Sequence, residues 1–597
     1  MATRMWTVVA LLLTVIFVAT FLDRFVLIRL LASRIGLSLT FAIVEAVAVV
    51  GAGALVRRFR RDSAVNFVVG YPILGTVCFL VGLLRVSAAT MLPVVLLFAV
   101  AGGYAIYRHY VGGSEVGGRG SEDAAIPRPT TEHRPPTSKR LLDAFSLIAI
   151  AVVLISGFVA AQAPPASLDE LAYHLAIPHT WVTEGRAIDL PLISQSYFPL
   201  GIESADLPLV GLLGPFGGGT ASHFLHLLAA LATIVVVYRA TDRNLLLTAA
   251  IITTPALALT AGWSLVDWPL LGIFVVLADA LRRDEDGPTI AAAIAAGLLT
   301  KYTFVPFAIV MLIVARRVRG VWPGIAAGSV FFIRNLVLTS NPVAPFFSAN
   351  APRVTEYRAL VLASYIFDGR FIDESLGASL LSAAVFTAGG IGLAALAVAV
   401  VLFVLAPSAR ILVPFFSIAA TRAADAVAGS RLLRVALVIA VAAQLMLVGY
   451  FTDRTQLFST MSGKWSDDEY LANARSTYPG VAWVNTVLPA ASRTLVVGVN
   501  ETYWFSHPVR GGGNFDGPRV SSYLEVPTPE ALRARLAHDG ITHVAVFAAA
   551  PPTAVAQKVA ERQTQLTKSA QRSLAQMLDR YASNVSAHPS VTLFTLK

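Results

Sequence analysis

Cysteine is almost absent: Cys78 is the single one in 597 residues. No intramolecular disulfide can form, and neither a cysteine-rich zinc site nor a thiol redox pair exists. Charge is scarce too, at 14% Asp, Glu, Lys and Arg against 56% hydrophobic residues, with a mean hydropathy of +0.68. That balance excludes a chain that is water-soluble throughout. Acids are scarcer than bases, 36 against 46, which leaves a formal net charge of +10. The basic residues lie in short loops between apolar runs, not along one face. This disfavours nucleic acid as a partner and fits the positive-inside bias of a membrane protein.

What is present is a series of apolar runs, most of about 18–25 residues and long enough to cross a hydrocarbon core about 30 Å thick, with two shorter crossings around Lys301-Tyr302. The runs predict a polytopic α-helical membrane protein with about 13 transmembrane helices. They fall near 5–22, 38–56, 64–84, 89–107, 141–163, 219–238, 244–262, 265–281, 289–300, 302–315, 320–338, 376–405 and 432–451. The first has no clear small-x-small cleavage site after it and reads as an uncleaved helix. Residues 408–427 read either way, and one reading lays them along the membrane surface. Residues 1–110 form a four-helix N-terminal segment. Residues 111–140 are a linker rich in Gly, Pro, Ser and Thr, without enough apolar surface to fold alone. Residues 141–451 form the membrane core, with a long polar loop at 164–216. Residues 452–597 are mixed in polarity, and their strand, helix, strand pattern predicts a small α/β domain. Its strands are expected near 491–498 and 541–547, with a helix over Pro529 to His538.

Lys and Arg set the expected orientation. Arg57, Arg58, Arg60 and Arg61 share one side with Arg108, Lys139, Arg140, Arg239, Arg243, Arg282, Arg283, Arg316, Arg317 and Arg319. Arg410, Arg422, Arg431 and Arg434 complete the set, and all of these fall on one side if 289–315 crosses twice. That side is expected to be the cytoplasm. The 164–216 loop, the 339–375 loop and the C-terminal domain then lie outside. Arg24, Arg29 and Arg34 are exceptions.

Asp169-Glu170 is the most informative pair, because acids at a membrane edge are costly and tend to be functional. A carboxylate there can take a proton from an attacking hydroxyl. The same residues suit helix capping, with Ser167, Asp169 and Glu170 opening a helix through Leu171 to Trp181. Tyr173 and His174 follow, and His174 shares a helical face with Glu170. His223 and His226, with the two acids, are a conceivable divalent-metal set, although no compact ligand motif supports one. Lys301, between two apolar runs and followed by Tyr302, is a second costly charge, and Arg334 is a third. Two cations on one face suit a phosphate or diphosphate; interface anchoring suits them equally. Thr339 to Phe347 is a turn-rich aromatic loop able to shape an opening for a lipid tail.

In order, these residues resemble the GT-C glycosyltransferases, in particular the bacterial branch of protein mannosyltransferases and the aminoarabinose transferase of lipid A. The resemblance rests on Asp169-Glu170 with Tyr173-His174-Leu175 and Pro178, on Lys301-Tyr302, and on Arg334-Asn335 followed by Ser340-Asn341-Pro342-Val343-Ala344-Pro345-Phe346. Gly540-Ile541-Thr542-His543-Val544 resembles the last strand of the outer domain. Ser340 departs from the usual Gly, and the four helices before residue 111 depart from the pattern. The resemblance implies a GT-C-like core and transfer of a sugar from a polyprenyl phosphate to a glycan, lipid or protein acceptor at the outer face of a bacterial inner membrane. It implies that Asp169 and Glu170 are catalytic, that Tyr173, His174, Lys301, Tyr302 and Arg334 bind substrate, and that no metal is required. Alternative readings are a non-catalytic scaffold that meets a membrane-protein partner through residues 1–110, or a lipid or solute transporter. The transporter reading needs facing charges mid-membrane, for which Glu45 and Asp279 are the main candidates.

Overall fold

The computed structural model describes residues 34–110, 137–347, 423–547 and 566–597, with 381–382 and 410, apart from gaps at 284, 286, 317–319, 456, 458–459, 461 and 513–515. The expected span at 5–22, most of that at 376–405, most of the 111–140 linker, and most of 339–375 and 408–427 lie outside the described residues.

Helices α1 (Arg34–Val56), α2 (Ser63–Gly82) and α3 (Ala88–Tyr110) pack side by side. Their sequences are apolar all round, so close backbone contact must supply the specificity that lipid cannot. A Cβ on Gly53 would stand 1.9 Å from the Asn66 carbonyl oxygen, and one on Gly75 would stand 1.8 Å from that of Gly201. Only glycine permits either approach. Asp62 starts α2 by accepting from the Val65 amide at 3.1 Å, and its other oxygen meets Arg239 at 2.6 Å.

Helix α4 (Thr137–Gln162) leads into the segment that carries the acidic pair, which includes α5 (Ala176–Glu184). Expected to be an exposed polar loop, that segment is mostly buried. Helix α6 (Leu207–Ala240) begins inside it and is broken at Gly214, where φ is +68°. The run expected as one span at 244–262 is two pieces, α7 (Leu245–Ile252) and α8 (Pro255–Ala258). Pro255 explains the break, since it lacks the N–H that a continuing helix needs.

Helix α9 (Asp267–Arg282) returns to the end of the bundle that holds Asp62. There Arg282 pairs with Asp242 at 2.8 Å and Asp279 at 2.9 Å. Asp279 is thus a helix-end ion-pair partner, not a mid-membrane charge. Helices α10 (Gly287–Thr300) and α11 (Phe304–Ala315) run out and back around Lys301-Tyr302. A Cβ on Gly320 would stand 2.3 Å from the Gly287 carbonyl oxygen, so the chain after α11 comes back to the start of α10. Helices α12 (Val321–Gly328) and α13 (Val330–Thr339) form one path bent by 47°. Helix α14 (Arg431–Arg454) leads to the C-terminal unit. Six described helices are long and apolar enough to span a membrane, or seven if α12 and α13 count as one.

The C-terminal unit holds α15 (Asp467–Ala474), α16 (Tyr478–Val487), β1 (Thr494–Val497), β2 (Val509–Arg510), α17 (Gly517–Leu524), α18 (Pro529–His538), β3 (His543–Phe547), α19 (Lys568–Tyr581), β4 (Ala582–His588) and β5 (Val591–Leu596). The strand order is β2-β1-β3-β5-β4. The first three strands are parallel, β5 is antiparallel to β3, and β4 is antiparallel to β5. Alternating apolar residues on the sheet meet α18 and α19 in one core with Leu532, Leu536, Leu574 and Met577. The unit is bolted to the segment after α4. The Thr502 amide donates to the Leu171 carbonyl at 2.9 Å, and His179 meets the Phe505 carbonyl at 2.7 Å. Glu184 pairs with Arg493 and Arg510, each at 2.7 Å.

Candidate active site

Asp169 closes the descent from α4 and precedes a single π turn, Glu170–His174, where the Leu175 amide reaches the Glu170 carbonyl at 2.9 Å. Such one-turn irregularities re-aim side chains and recur at functional sites. Here the turn sends adjacent acids in different directions.

Glu170 points into the protein and is 1% exposed. It accepts from the Ser264 amide at 2.6 Å and the Ser167 amide at 3.0 Å, and meets His223 Nε2 at 2.8 Å. Burial pushes its carboxyl up, but His223 and the two amides outweigh burial and hold it below its ordinary value. The helix-capping expectation therefore falls to Glu170, which caps from within the turn. Asp169 makes no cap hydrogen bond.

Asp169 Oδ2 instead accepts from Arg410 Nη2 at 2.6 Å and, weakly, from the Tyr173 hydroxyl at 3.4 Å. Arg410 Nη1 also reaches Asp267 at 3.4 Å, and Asp267 meets Lys301 Nζ at 3.8 Å. Two acids and two cations thus alternate across one end of the helices. Burial pushes the Asp169 carboxyl up, but Arg410, helped by His174 and Lys301, holds it below its ordinary value. The group stays anionic at neutral pH.

Arg410 corrects the sequence expectation. It belongs to the Asp169 end of the bundle, not with Arg57 and Arg239. Asp267 was not singled out from sequence, although it is a lone acid opening an apolar run, the same kind of signal as Asp169.

His174 packs against Tyr173, the rings tilted at 38° with centroids 4.0 Å apart, and its Nδ1 meets Glu203 at 2.8 Å. His226 Nδ1 turns to the Leu265 carbonyl at 3.0 Å. Asp169, Glu170, His223 and His226 do not converge on one point. Among the described residues no group of three or more acids, histidines or cysteines is spaced to hold a metal ion.

Tyr302 and Arg334 form a neighbouring cluster. The Tyr302 hydroxyl donates to the Tyr197 or Ala344 carbonyl, at 2.9 and 3.0 Å, and accepts from Asn335 Nδ2 at 2.7 Å. Arg334 Nη2 donates to the Ser196 carbonyl and, at 3.0 Å, to Asn335 Oδ1. Its guanidinium lies over the rings of Phe331, Phe79 and Tyr197, at 5.4, 5.7 and 5.9 Å. Beside it opens a mainly apolar cleft of about 300 Å³. Lys301 joins the ion-pair chain through Asp267, while Tyr302, the next residue, is bonded to Asn335 and so belongs to the Arg334 cluster.

The chain is similar to two crystal structures of ArnT from Cupriavidus metallidurans, one bound to undecaprenyl phosphate and one in the apo state. Each is 14% identical and matches over 76% of this chain and 98% of its own, with TM-scores of 0.44 and 0.46. The likeness is one of fold alone. No family model and no curated protein matches the chain.

Proposed function

We propose that this chain is a GT-C-type glycosyltransferase that moves a sugar from a polyprenyl-phosphate donor to an acceptor at the outer face of a bacterial inner membrane. The observation that carries the reading is the anionic Asp169, held by Arg410 beside Lys301 at the same bundle end as the Arg334 cleft. A hydroxyl acceptor is oriented by Asp169, which takes its proton as the acceptor oxygen bonds to the sugar C1. The bond from C1 to the phosphate oxygen breaks, and its electron pair leaves on the polyprenyl phosphate. The added negative charge is met by the cations Lys301, Arg334 and Arg410. A carboxylate with a depressed pKa is a weak base, so Arg410 must loosen its hold as the acceptor binds. Glu170 is a positioning residue: with its oxygens taken up by Ser167, Ser264 and His223, it fixes the turn that aims Asp169. Tyr173 and His174 line the acceptor side, and Tyr302 ties Asn335, next to Arg334 on α13, to the loop at Ala344.

A scaffold is the second reading. The mutual neutralisation of Asp169, Arg410, Asp267 and Lys301 favours it, since a closed ion-pair chain also suits a purely structural role. The test is genetic complementation. Cells lacking the chain should accumulate one polyprenyl-phosphate sugar, and Asp169→Asn, present at the wild-type level, should fail to clear it. Clearance by that variant contradicts the catalytic reading and leaves the scaffold.

A further inference from the structure

The N-terminal helices stand outside the family pattern, yet one of them walls the cleft beside Arg334. Phe79 and Leu83, from α2 and its C-terminal end, face Leu338 of α13 across it, and Arg186, Asp189 and Arg334 supply its charged groups. Phe79 also packs against Trp181 and Phe331, its ring tilted at 43° to each with centroids 5.5 and 5.1 Å away, and its ring lies under the Arg334 guanidinium.

This contact is fastened by backbone. The Val86 amide donates to the Gly185 carbonyl at 2.7 Å, and the Ala187 amide donates to the Gly82 carbonyl at 2.8 Å. The two bonds pin the end of α2 to the stretch that carries Arg186 and Asp189. Upstream, Gly75 abuts the Gly201 backbone. Helix α2 is therefore part of the site wall.

The cleft is amphiphilic. Its charged end holds two guanidiniums against one carboxylate. Arg334 Nε and Nη2 are bonded inward, and Nη1 has no hydrogen bond among the described residues. Its other end is apolar, and Leu83 and Leu338 are each 46% exposed there, with Leu84 next along the chain at 86%. Exposed leucines that rim an apolar cleft suit an apolar chain. An anionic head with an apolar tail fits this gradient: phosphate on Arg334, tail passing out between α2 and α13.

We infer that α2 forms one wall of the binding site for the donor's prenyl chain, with Phe79 and Leu83 contacting its phosphate-proximal isoprene units. This rests on the proposed use of a polyprenyl-phosphate donor. The N-terminal helices then act in substrate binding, and removing them removes part of the donor site.

The experiment is native mass spectrometry on the full-length protein in detergent, titrated with a long-chain polyprenyl phosphate, geranyl phosphate and the phosphate-free polyprenol. The variants are Leu83→Trp, Phe79→Leu and Arg334→Gln, with Leu97→Trp as a control on an exposed face away from the cleft; melting temperature verifies folding. The inference expects Leu83→Trp and Phe79→Leu to weaken the long-chain phosphate by about tenfold or more, with Leu97→Trp unchanged. Arg334→Gln should reduce both phosphates to the level of the polyprenol. If Arg334→Gln loses phosphate selectivity while both α2 variants bind as wild type, the inference is overturned and the donor reading stands. If the wild type does not prefer the phosphate over the polyprenol, the donor reading itself is overturned.

Discussion

Arg410 donates to Asp169 across 2.6 Å, joining residues 241 positions apart in the chain. The bond holds the carboxylate anionic and aims it at the end of the bundle where Lys301 and Asp267 also lie. Asp169 and its cations form one electrostatic unit, and changing any member retunes the others.

Replacing Arg410 tests that coupling. Arg410→Gln removes the main charge that opposes burial at Asp169, so the carboxyl's pKa rises. The acid limb of the pH–rate profile should move to higher pH, and transfer at neutral pH should fall by about a hundredfold. An unmoved acid limb would show that Asp169 is not the group titrating in the rate.

Glu170 should behave differently. Glu170→Ala leaves His223 and two buried amides without their acceptor, at a cost of about 3–5 kcal/mol, seen as a lower melting temperature. Glu170→Gln should lose less. The folded pKa of Glu170 lies below its ordinary 4.5, so its stabilisation is complete above that value and is lost as pH falls through the depressed one. The melting temperature of Glu170→Gln should therefore vary less with pH at the acid end than that of the wild type.

Asp516 gives a pH effect of the opposite sign. Both its oxygens accept from the Ser194 amide at 3.1 Å, tying the C-terminal unit to the segment after α5. Burial pushes its carboxyl up to about 7. An acid whose folded pKa is raised binds its proton more tightly when folded, so its penalty is absent below the ordinary 3.8 and grows as pH rises to about 7. Asp516→Asn keeps an acceptor for Ser194 without that penalty. Its melting-temperature advantage over wild type should widen over this range and level off above it; a constant difference would contradict the linkage.

Gly75 and Gly103 make a matched pair. A Cβ at Gly75 would enter the Gly201 backbone, whereas one at Gly103 meets nothing within 4 Å. Gly75→Ala should cost about 1–3 kcal/mol or more, while Gly103→Ala should be neutral or slightly stabilising in the helix. Equal melting temperatures would show that α2 does not press on the site segment.

The sequence made some of this legible for simple reasons. An acidic pair in apolar surroundings stands out, as does a lysine between two short apolar runs. The out-and-back path of α10 and α11 was expected because it kept the basic clusters on one side. Helix α18 was readable from Pro529 at its start and Gly540 after it; β2, two residues long, had no pattern to read. Arg410 was misplaced because charge counting assigns a cation to the nearest loop and has no term for a partner 241 residues away. Asp267 passed unnoticed because an acid in a first helical turn is ordinary capping chemistry. The break between α7 and α8 was written in Pro255, but averaging hydropathy over a window hid it.

The most direct measurement is transfer by purified protein in lipid nanodiscs, using a polyprenyl-phosphate sugar labelled at C1 with a cell-envelope acceptor fraction. The account predicts that wild type moves label to the acceptor with inversion at C1 and releases polyprenyl phosphate. Asp169→Asn should bind the donor with unchanged affinity and transfer nothing above background. Transfer by Asp169→Asn at the wild-type rate would contradict the central claim.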